Sequence, residues 1–264
     1  MEELTAAEIE QYQQHGFVTP RMRLDTETLH ELEQAVERVI AANPEVRPER
    51  LVSVHITGRN QEGVVGDPAF FELARHPRIL RSVQQVLGPD VILWGCQLFC
   101  KPAQVGMEVP MHQDGQYWPI RPLATCTVWV AIDASTPENG CMRVVPGSHH
   151  QGLLAHEKDL RDDLVLNQKV LEPERLSEPV DLELAPGGFS LHDVHLVHGS
   201  NPNRSGKRRA GVALRYMPAT SLFDRSLMPT GSGSGYLVNF AERPLWLLSG
   251  RDHAGNDLHI GHTA

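Results

Sequence analysis

The feature that most constrains the fold is a change in the pattern of apolar and turn-forming residues at residue 91. From there onward, short apolar runs alternate with turns rich in Gly, Pro, Asn and Asp. Runs of this length and spacing are typical of a β-sandwich or jelly roll, and not of a parallel sheet with crossover helices. The predicted strands are 91–101, 108–112, 125–132, 142–145, 181–184, 190–192, 194–198 and 208–217. The sequence therefore predicts a mainly β domain, either a sandwich or a jelly roll.

Helix signals come before this region. Thr5 and Glu8 have the spacing of a capping box, and Gly16 is suited to end that helix in a left-handed conformation. A second helix is predicted to begin near Asp25, to carry an apolar stripe, and to end at Asn43. Two shorter helices are predicted further on, each beginning at a proline. We expect these helices to pack on the outside of the β core.

The chain is interpreted as one domain in three parts. They are a helical part of about 1–90, a jelly-roll core of about 91–218, and a C-terminal lid or extension of about 219–264. Residues 151–178 are charged and irregular, which predicts a surface excursion that contains a helix. The Gly-Ser run at 231–235 is either a lid hinge or a mobile surface loop.

Composition narrows the classes of partner. The 264 residues carry 33 acidic and 24 basic side chains, for a net charge of −9, and no basic run. This balance argues against a nucleic-acid or anionic-membrane partner and favours a small-molecule substrate. The sequence lacks an apolar run near the ~20 residues of a membrane span and has no secretory leader, so a cytoplasmic protein is expected. The four cysteines lack zinc-site spacing and are expected to be reduced; the oligomeric state stays open.

A histidine and a carboxylate, His112 and Asp114, lie two residues apart. Residues two apart in a strand point to the same side, so the imidazole and the carboxylate would converge. A second imidazole from a distant strand would complete two histidines and one carboxylate, the usual facial set for non-haem Fe(II). Spacing alone is equally consistent with a hydrogen-bonded turn histidine and a capping aspartate.

Three histidines could supply the missing ligand: His192, His195 and His198. His198 is favoured because the turn-forming residues 199–203 follow it directly, and a ligand at a strand end can lean into the mouth of a barrel. The other two histidines are interpreted as neighbours of the site or packing residues.

Arg209 is predicted to begin the next strand, antiparallel and adjacent to that of His198, so that its side chain returns to the same cavity. Alternation gives its face small residues and a second arginine, namely Gly211, Ala213 and Arg215. Arg209 could hold a carboxylate by a two-pronged hydrogen bond, with Ser200 donating to the same group. The alternative is a solvated basic strand end.

The chain resembles the phytanoyl-CoA dioxygenase family of Fe(II)/2-oxoglutarate oxygenases over about residues 5–218. The segments that carry the resemblance are 111–114 (MHQD), 127–133 (TVWVAID), 138–142 (ENGCM), 145–149 (VPGSH), 186–188 (PGG) and 198–200 (HGS) through Arg209. The resemblance implies a double-stranded β-helix, that is, a jelly roll whose open mouth holds the iron.

The resemblance also implies roles for particular residues. The iron ligands would be His112, Asp114 and His198, and the residues around the cosubstrate 2-oxoglutarate would be Arg209, Ser200, Trp129 and Gln97, the last at a position where the family varies. O₂ would be the second cosubstrate. Relatives that halogenate have Ala or Gly in place of the carboxylate ligand, so Asp114 favours hydroxylation or a related oxidation.

The substrate is the point that the sequence leaves open. Residues near the predicted mouth that could contact it are Gln113, Gln116, Trp118 and Arg121, with simple packing as the alternative for Trp118. Their character favours a small polar or anionic molecule over a long fatty chain. The alternative functions are a non-catalytic jelly-roll protein that binds a small ligand or metal, and a zinc hydrolase. A non-catalytic binding protein would not need all three metal ligands and the carboxylate-binding arginine to be present. A zinc hydrolase would not need that arginine.

Overall fold

The computed structural model describes residues 2–227 and 240–262. Within these ranges the helices are α1 (Ala6–His15), α2 (Thr26–Ala42), α3 (Pro68–Ala74) and α4 (Pro77–Leu87). The strands are β1 (Phe17–Val18), β2 (Leu51–Val52), β3 (Gly58–Arg59), β4 (Val65–Gly66), β5 (Val91–Lys101), β6 (Val109–His112), β7 (Ile120–Arg121), β8 (Cys126–Ala131), β9 (Met142–Val144), β10 (His156–Lys158), β11 (Gln168–Val170), β12 (Val180–Leu182), β13 (Phe189–Asp193), β14 (His198–Ser200), β15 (Arg209–Pro218), β16 (Leu222–Phe223) and β17 (Trp246–Ser249).

Capping interactions between neighbouring residues set the limits of α1 and the start of α2. The Thr5 hydroxyl accepts from the backbone N–H of Glu8, whose carboxylate accepts from the N–H of Thr5 at 2.8 Å, which completes the capping box of α1. Gly16 follows in the left-handed region, with φ 79°. The Asp25 carboxylate caps α2 by accepting from the backbone N–H of Thr28 at 2.8 Å. The predicted bounds of these helices are confirmed.

Two antiparallel sheets form the β core. The larger sheet has the strand order β1-β13-β8-β15-β5-β17, with β2 also paired to β5, and the smaller has the order β12-β9-β14-β6. The predicted jelly roll is confirmed. Because sequential strands alternate between the two sheets, residues far apart in sequence meet between them.

Alternation along the larger sheet separates a packing face from a pocket face. Apolar residues on one face form a core with α2, α3 and α4; on β15 they are Ala210, Val212, Leu214 and Tyr216. On the same strand Arg209, Ala213 and Arg215 line a cavity on the other face. The helices therefore close the back of the sheet, while its front is left for a binding site.

Two predicted segments differ from the structure. Residues 194–197 form a turn, not strand, because the N–H of Leu196 donates to the carbonyl of Asp193 at 3.0 Å and the chain crosses to the smaller sheet. As a result β14 pairs with β6 and β9, and the predicted adjacency of the His198 and Arg209 strands is wrong. Residues 151–178 hold the β10-β11 pair and one 3₁₀ turn (Pro173–Arg175), and the predicted helix is absent there.

The C-terminal part contributes to the larger sheet, since β17 pairs with β5. The predicted hinge at 231–235 lies outside the described residues, and the division of the chain into three parts stays a prediction. All four cysteines are buried and free. In the part of the chain that the structure describes, every helix is too short or too polar to cross a membrane.

Candidate functional site

The structure brings His112, Asp114 and His198 together. His112 ends β6, Asp114 begins a 3₁₀ turn two residues later, and His198 begins β14 directly opposite His112 in the antiparallel register. One ligand atom from each of the three side chains lies within 4.8 Å of the other two, and all three residues are buried. Among the described residues this is the one group of three possible ligands that meets this distance.

Backbone carbonyls fix the orientation of both imidazoles. The Nδ1 atom of His112 lies 2.8 Å from the carbonyl oxygen of Pro110, and that of His198 lies 3.0 Å from the carbonyl oxygen of Leu196. A carbonyl can only accept, so each Nδ1 carries a hydrogen and each Nε2 is the ring nitrogen left to coordinate a metal. This is the arrangement that metal-binding histidines require.

Asp114 is held in its ionised form. Burial by itself would raise its pKa, but the neighbouring imidazoles of His112, His192 and His198 and the nearby positive charge of Arg215 hold the pKa well below its ordinary value. The Thr127 hydroxyl donates to Oδ2 at 3.2 Å, and the Nε2 atom of His192 lies 3.6 Å from the same oxygen. Oδ1 lies 3.7 Å from the Nε2 atom of His112. The carboxylate is thus anchored by one oxygen and presents the other to the ligand group.

These donors fit a ferrous ion. Burial and the neighbouring histidines lower the pKa of His198 well below its ordinary value, so this imidazole is neutral and can coordinate. Two imidazoles and one carboxylate match the facial set of non-haem Fe(II) sites. His192, interpreted from the sequence as a neighbour or packing residue, lies beside Asp114 with its ring centroid 4.6 Å from that of His198.

Arg209 lies in the same pocket as the predicted Trp129 and Ser200. Its guanidinium carbon is 5.2 Å from the centre of the Trp129 ring, a cation–π contact. Burial lowers its pKa to about 10, so the guanidinium stays charged at neutral pH. Among the described residues it forms no ion pair with a carboxylate, although it is buried. A buried cation of this kind is suited to receive an anionic ligand.

Lys101 is a site residue that the sequence reasoning missed. It is buried and pairs with Arg209 in the β5-β15 register. Its Nζ donates to the Ser200 hydroxyl at 2.7 Å and to the carbonyl of Asn201. Burial, and then the charge of Arg209, lowers its pKa well below the ordinary value. A bound carboxylate would raise that pKa again, because an opposite charge favours the ammonium form.

Of the residues predicted to contact the substrate, Trp118 lines the pocket and packs edge-on against Trp94, with ring centroids 4.4 Å apart. Gln97 also lines the pocket, where its Oε1 accepts from Arg215 at 3.1 Å. Gln97 lies on the pocket side of β5 because it shares a face of that strand with Phe99 and Lys101.

Gln113, Gln116 and Arg121 are not among the described residues that line this pocket, and their role as substrate contacts stays a prediction. The Gln113 amide donates to the carbonyls of Gly152 and His195, because a residue between two ligands in extended chain points to the opposite side. Arg121 is exposed, and its guanidinium donates to the carbonyls of Trp118 and Ile120. Gln116 is half-buried within the turn.

The C-terminal segment adds pocket residues that carry no local sequence signal. Phe240 and Arg243 line the pocket. Arg243 donates to the Ser53 hydroxyl at 2.7 Å and to the Glu62 carboxylate at 2.8 Å, both from the segment that follows β2. These contacts depend on tertiary packing between residues more than 180 apart in sequence.

The comparisons with known proteins agree with this geometry. The sequence profile of the phytanoyl-CoA dioxygenase (PhyH) family matches residues 12–211. A probable phytanoyl-CoA dioxygenase of Caenorhabditis elegans is 31% identical over 159 residues, which are 57% of this chain and 51% of that protein. An ectoine dioxygenase of Bordetella bronchiseptica is 28% identical over 236 residues, which are 81% of this chain and 75% of that protein.

The chain spans about half the length of the phytanoyl-CoA dioxygenases that it matches. A solved structure of the non-heme monooxygenase ThoJ, in its apo form, superposes with a TM-score of 0.71 at 25% identity, and the match covers 92% of this chain and 84% of that one. Since the family profile covers well over half of the sequence, this chain belongs to the phytanoyl-CoA dioxygenase (PhyH) family.

Proposed function

We propose that this protein is an Fe(II)- and 2-oxoglutarate-dependent dioxygenase that hydroxylates a C–H bond of a small polar molecule. In the overall reaction the substrate gains one oxygen atom of O₂, and 2-oxoglutarate takes up the other to give succinate and CO₂. The observation that carries the proposal is one pocket that joins the ligand group His112, Asp114 and His198 to a buried Arg209 without an ion-pair partner among the described residues.

Fe(II) bound by the three side chains would supply O₂ activation coupled to the oxidative decarboxylation of 2-oxoglutarate. The protein contributes the fixed ring orientations of His112 and His198 and the ionised Asp114, so the ligand group is arranged before any metal binds. The hydrogen bond from Thr127 keeps the carboxylate from rotating away.

The distal carboxylate of 2-oxoglutarate is assigned to Arg209, with Ser200 and Lys101 beside it. A guanidinium binds a carboxylate through two parallel hydrogen bonds, and burial strengthens them because water does not compete. Lys101 orients the Ser200 hydroxyl, and a carboxylate bound at this end of the pocket would favour the ammonium form of Lys101. Trp129 forms a flat wall beneath the guanidinium.

The test is an anaerobic titration of the Fe(II)-loaded protein with 2-oxoglutarate. A weak visible charge-transfer band should grow with saturation, and admission of O₂ should yield succinate. Isotopically labelled O₂ and mass spectrometry over a panel of small polar molecules would then identify the hydroxylated product. Full metal loading without any 2-oxoglutarate binding would contradict the proposal and favour a zinc hydrolase or a non-catalytic binding protein.

Gly211 provides an independent check of the cosubstrate pocket. A Cβ built on Gly211 would lie 2.1 Å from the Trp129 ring, so this position must be glycine for the indole to lie against β15. Gly211→Ala should displace the indole, lower the free energy of unfolding by about 1–3 kcal/mol, and weaken 2-oxoglutarate binding about tenfold. Chemical denaturation and the charge-transfer titration measure the two effects.

Gly206→Ala is the matched control, because a Cβ there meets no atom within 4 Å. It should leave both quantities unchanged. Tight 2-oxoglutarate binding by a folded Gly211→Ala protein would show that Trp129 does not shape the cosubstrate pocket.

A further inference from the structure

The pocket contains a second cation on the face of β15 that carries Arg209. Arg215 lies six residues further along, roughly 20 Å at the rise of a strand, so the two arginines stand toward opposite ends of the pocket. Arg215 is opposite Thr127 in the register, the residue whose hydroxyl bonds to Asp114. This places Arg215 at the end of the site that the proposed 2-oxoglutarate contacts leave open.

Two indoles hold the Arg215 guanidinium. Its central carbon is 5.4 Å from the centre of the Trp118 ring and 5.8 Å from that of Trp94. A guanidinium is planar and weakly hydrated, so it stacks on aromatic faces while its N–H groups stay available at the edges. The indoles therefore orient the cation without using up its donors.

The donors of Arg215 are largely unused within the described part of the chain. A guanidinium has five N–H donors. Here Nη2 donates to the side-chain Oε1 atom of Gln97 at 3.1 Å, and Nε is buried with no partner. By contrast Arg243, which lines the same pocket, is paired with Glu62 at 2.8 Å. Asp114 is near enough for Arg215 to lower its pKa, but this carboxylate belongs to the metal ligand group.

A purely structural role does not account for this arrangement. An apolar side chain could fill the space between two indoles without the cost of removing a charge from water. A charged group without a carboxylate partner inside a binding cavity is instead suited to an anion that arrives with the ligand. The neighbouring aromatic surface of Trp94, Trp118 and Phe240 is suited to an apolar body attached to that anion.

We infer that Arg215 binds the carboxylate of an organic acid substrate whose ring-sized apolar part lies against Trp94, Trp118 and Phe240. The inference rests on the proposed function, because it assigns Arg209 to 2-oxoglutarate and Arg215 to the substrate. It deepens that function by naming the class of substrate. Fixed at Arg215, such an acid lies next to Thr127 and Asp114, beside the metal ligand group.

The test compares phenylacetate with phenylacetamide, which has the same shape without the charge. Binding is measured by isothermal titration calorimetry on the Fe(II)-loaded protein, without O₂ and with 2-oxoglutarate saturating, so that Arg209 is occupied. The wild type should bind phenylacetate about 10- to 100-fold more tightly than phenylacetamide, the usual range for a charge-assisted hydrogen bond. Arg215→Gln should lose this preference while its affinity for 2-oxoglutarate stays unchanged.

Two further variants separate charge from packing. Arg215→Lys keeps the charge and should retain part of the preference for the acid. Arg208→Gln, which alters an arginine paired with Asp133 and Glu37 away from the pocket, should retain all of it. Thermal denaturation of each variant reports whether its fold is intact.

The outcomes distinguish this inference from the proposed function. Wild-type protein that binds 2-oxoglutarate but binds the acid no better than the amide, or does not bind the acid, would overturn the assignment of Arg215. So would undiminished binding of the acid by Arg215→Gln, which would place the anion elsewhere, for example on the metal. A protein that does not bind 2-oxoglutarate at all overturns the proposed function itself.

Discussion

Asp114→Ala should eliminate succinate formation by the Fe(II)-loaded protein, both with and without a substrate. The substitution removes one of three ligands and the negative charge that offsets the metal charge in a buried site. Loss of a residue that only supports a ligand typically weakens metal binding by about 10- to 100-fold, so loss of the ligand should exceed about 100-fold. Anaerobic Fe(II) titration and succinate assays measure both effects.

Thr127→Val is the matched control for this experiment. It is nearly isosteric and removes the hydrogen bond to Asp114 Oδ2 while leaving the ligand in place. Its Fe(II) affinity should fall about tenfold, toward the lower end of the range for supporting residues. Succinate formation that persists in a folded Asp114→Ala protein would exclude Asp114 as a ligand.

Arg209→Gln should weaken 2-oxoglutarate binding more than any other substitution outside the ligand group. The loss of one member of a buried charge pair costs about 2–5 kcal/mol, which corresponds to roughly 30-fold to several thousand-fold in Kd. Fe(II) affinity should be unaffected, because Arg209 is not among the metal ligands. The charge-transfer titration gives the Kd for 2-oxoglutarate in each variant.

Arg208→Gln is again the appropriate comparison, one residue away and on the opposite side of the chain. Arg208 is paired with Asp133 at 2.8 Å and with Glu37, outside the pocket. Its substitution should change the Kd for 2-oxoglutarate by less than about twofold, as is usual for surface ion pairs. Unchanged affinity in Arg209→Gln would place the cosubstrate carboxylate elsewhere.

The helices could be predicted from sequence because their limits are set by neighbouring residues. Thr5 and Glu8 bond to each other's backbone, Gly16 accommodates the left-handed turn, and Asp25 caps α2. Each of these contacts spans a few residues, so a linear sequence contains all the information needed. Strand β5 was predicted with its observed limits for a related reason, since its run of residues is long and mostly apolar.

The arrangement of strands required more than local information. The turn at 194–197 passes the chain from the larger to the smaller sheet, and no spacing rule shows which sheet receives β14. The structure still brings His198 to the other two ligands, but through pairing of β14 with β6 and not through adjacency to β15. The three ligands could be predicted from the family resemblance and from residue type. The strand pairing that brings them together could not, because it is set by contacts remote in sequence.

The residues that sequence reasoning missed are charged groups buried by distant contacts. In the sequence, Lys101 looks like an ordinary strand end; it is buried because β15 pairs beside it. Arg243 is buried because the C-terminal segment contacts Ser53 and Glu62. Gln113 shows the opposite case, a polar residue between two ligands whose side-chain amide donates to backbone carbonyls. In each case the side chain's environment is supplied by residues that are remote in sequence.

The carbonyl contacts of His112 and His198 bear on how this site tolerates sequence change. Each imidazole is oriented by the main chain two residues before it, at Pro110 and Leu196. Every amino acid offers the same carbonyl oxygen, so a substitution at either position changes a side chain without removing the acceptor. Only a change in the path of the backbone can release the rings. The orientation of the two histidine ligands is therefore inherited with the fold, whereas that of Asp114 also depends on the Thr127 side chain.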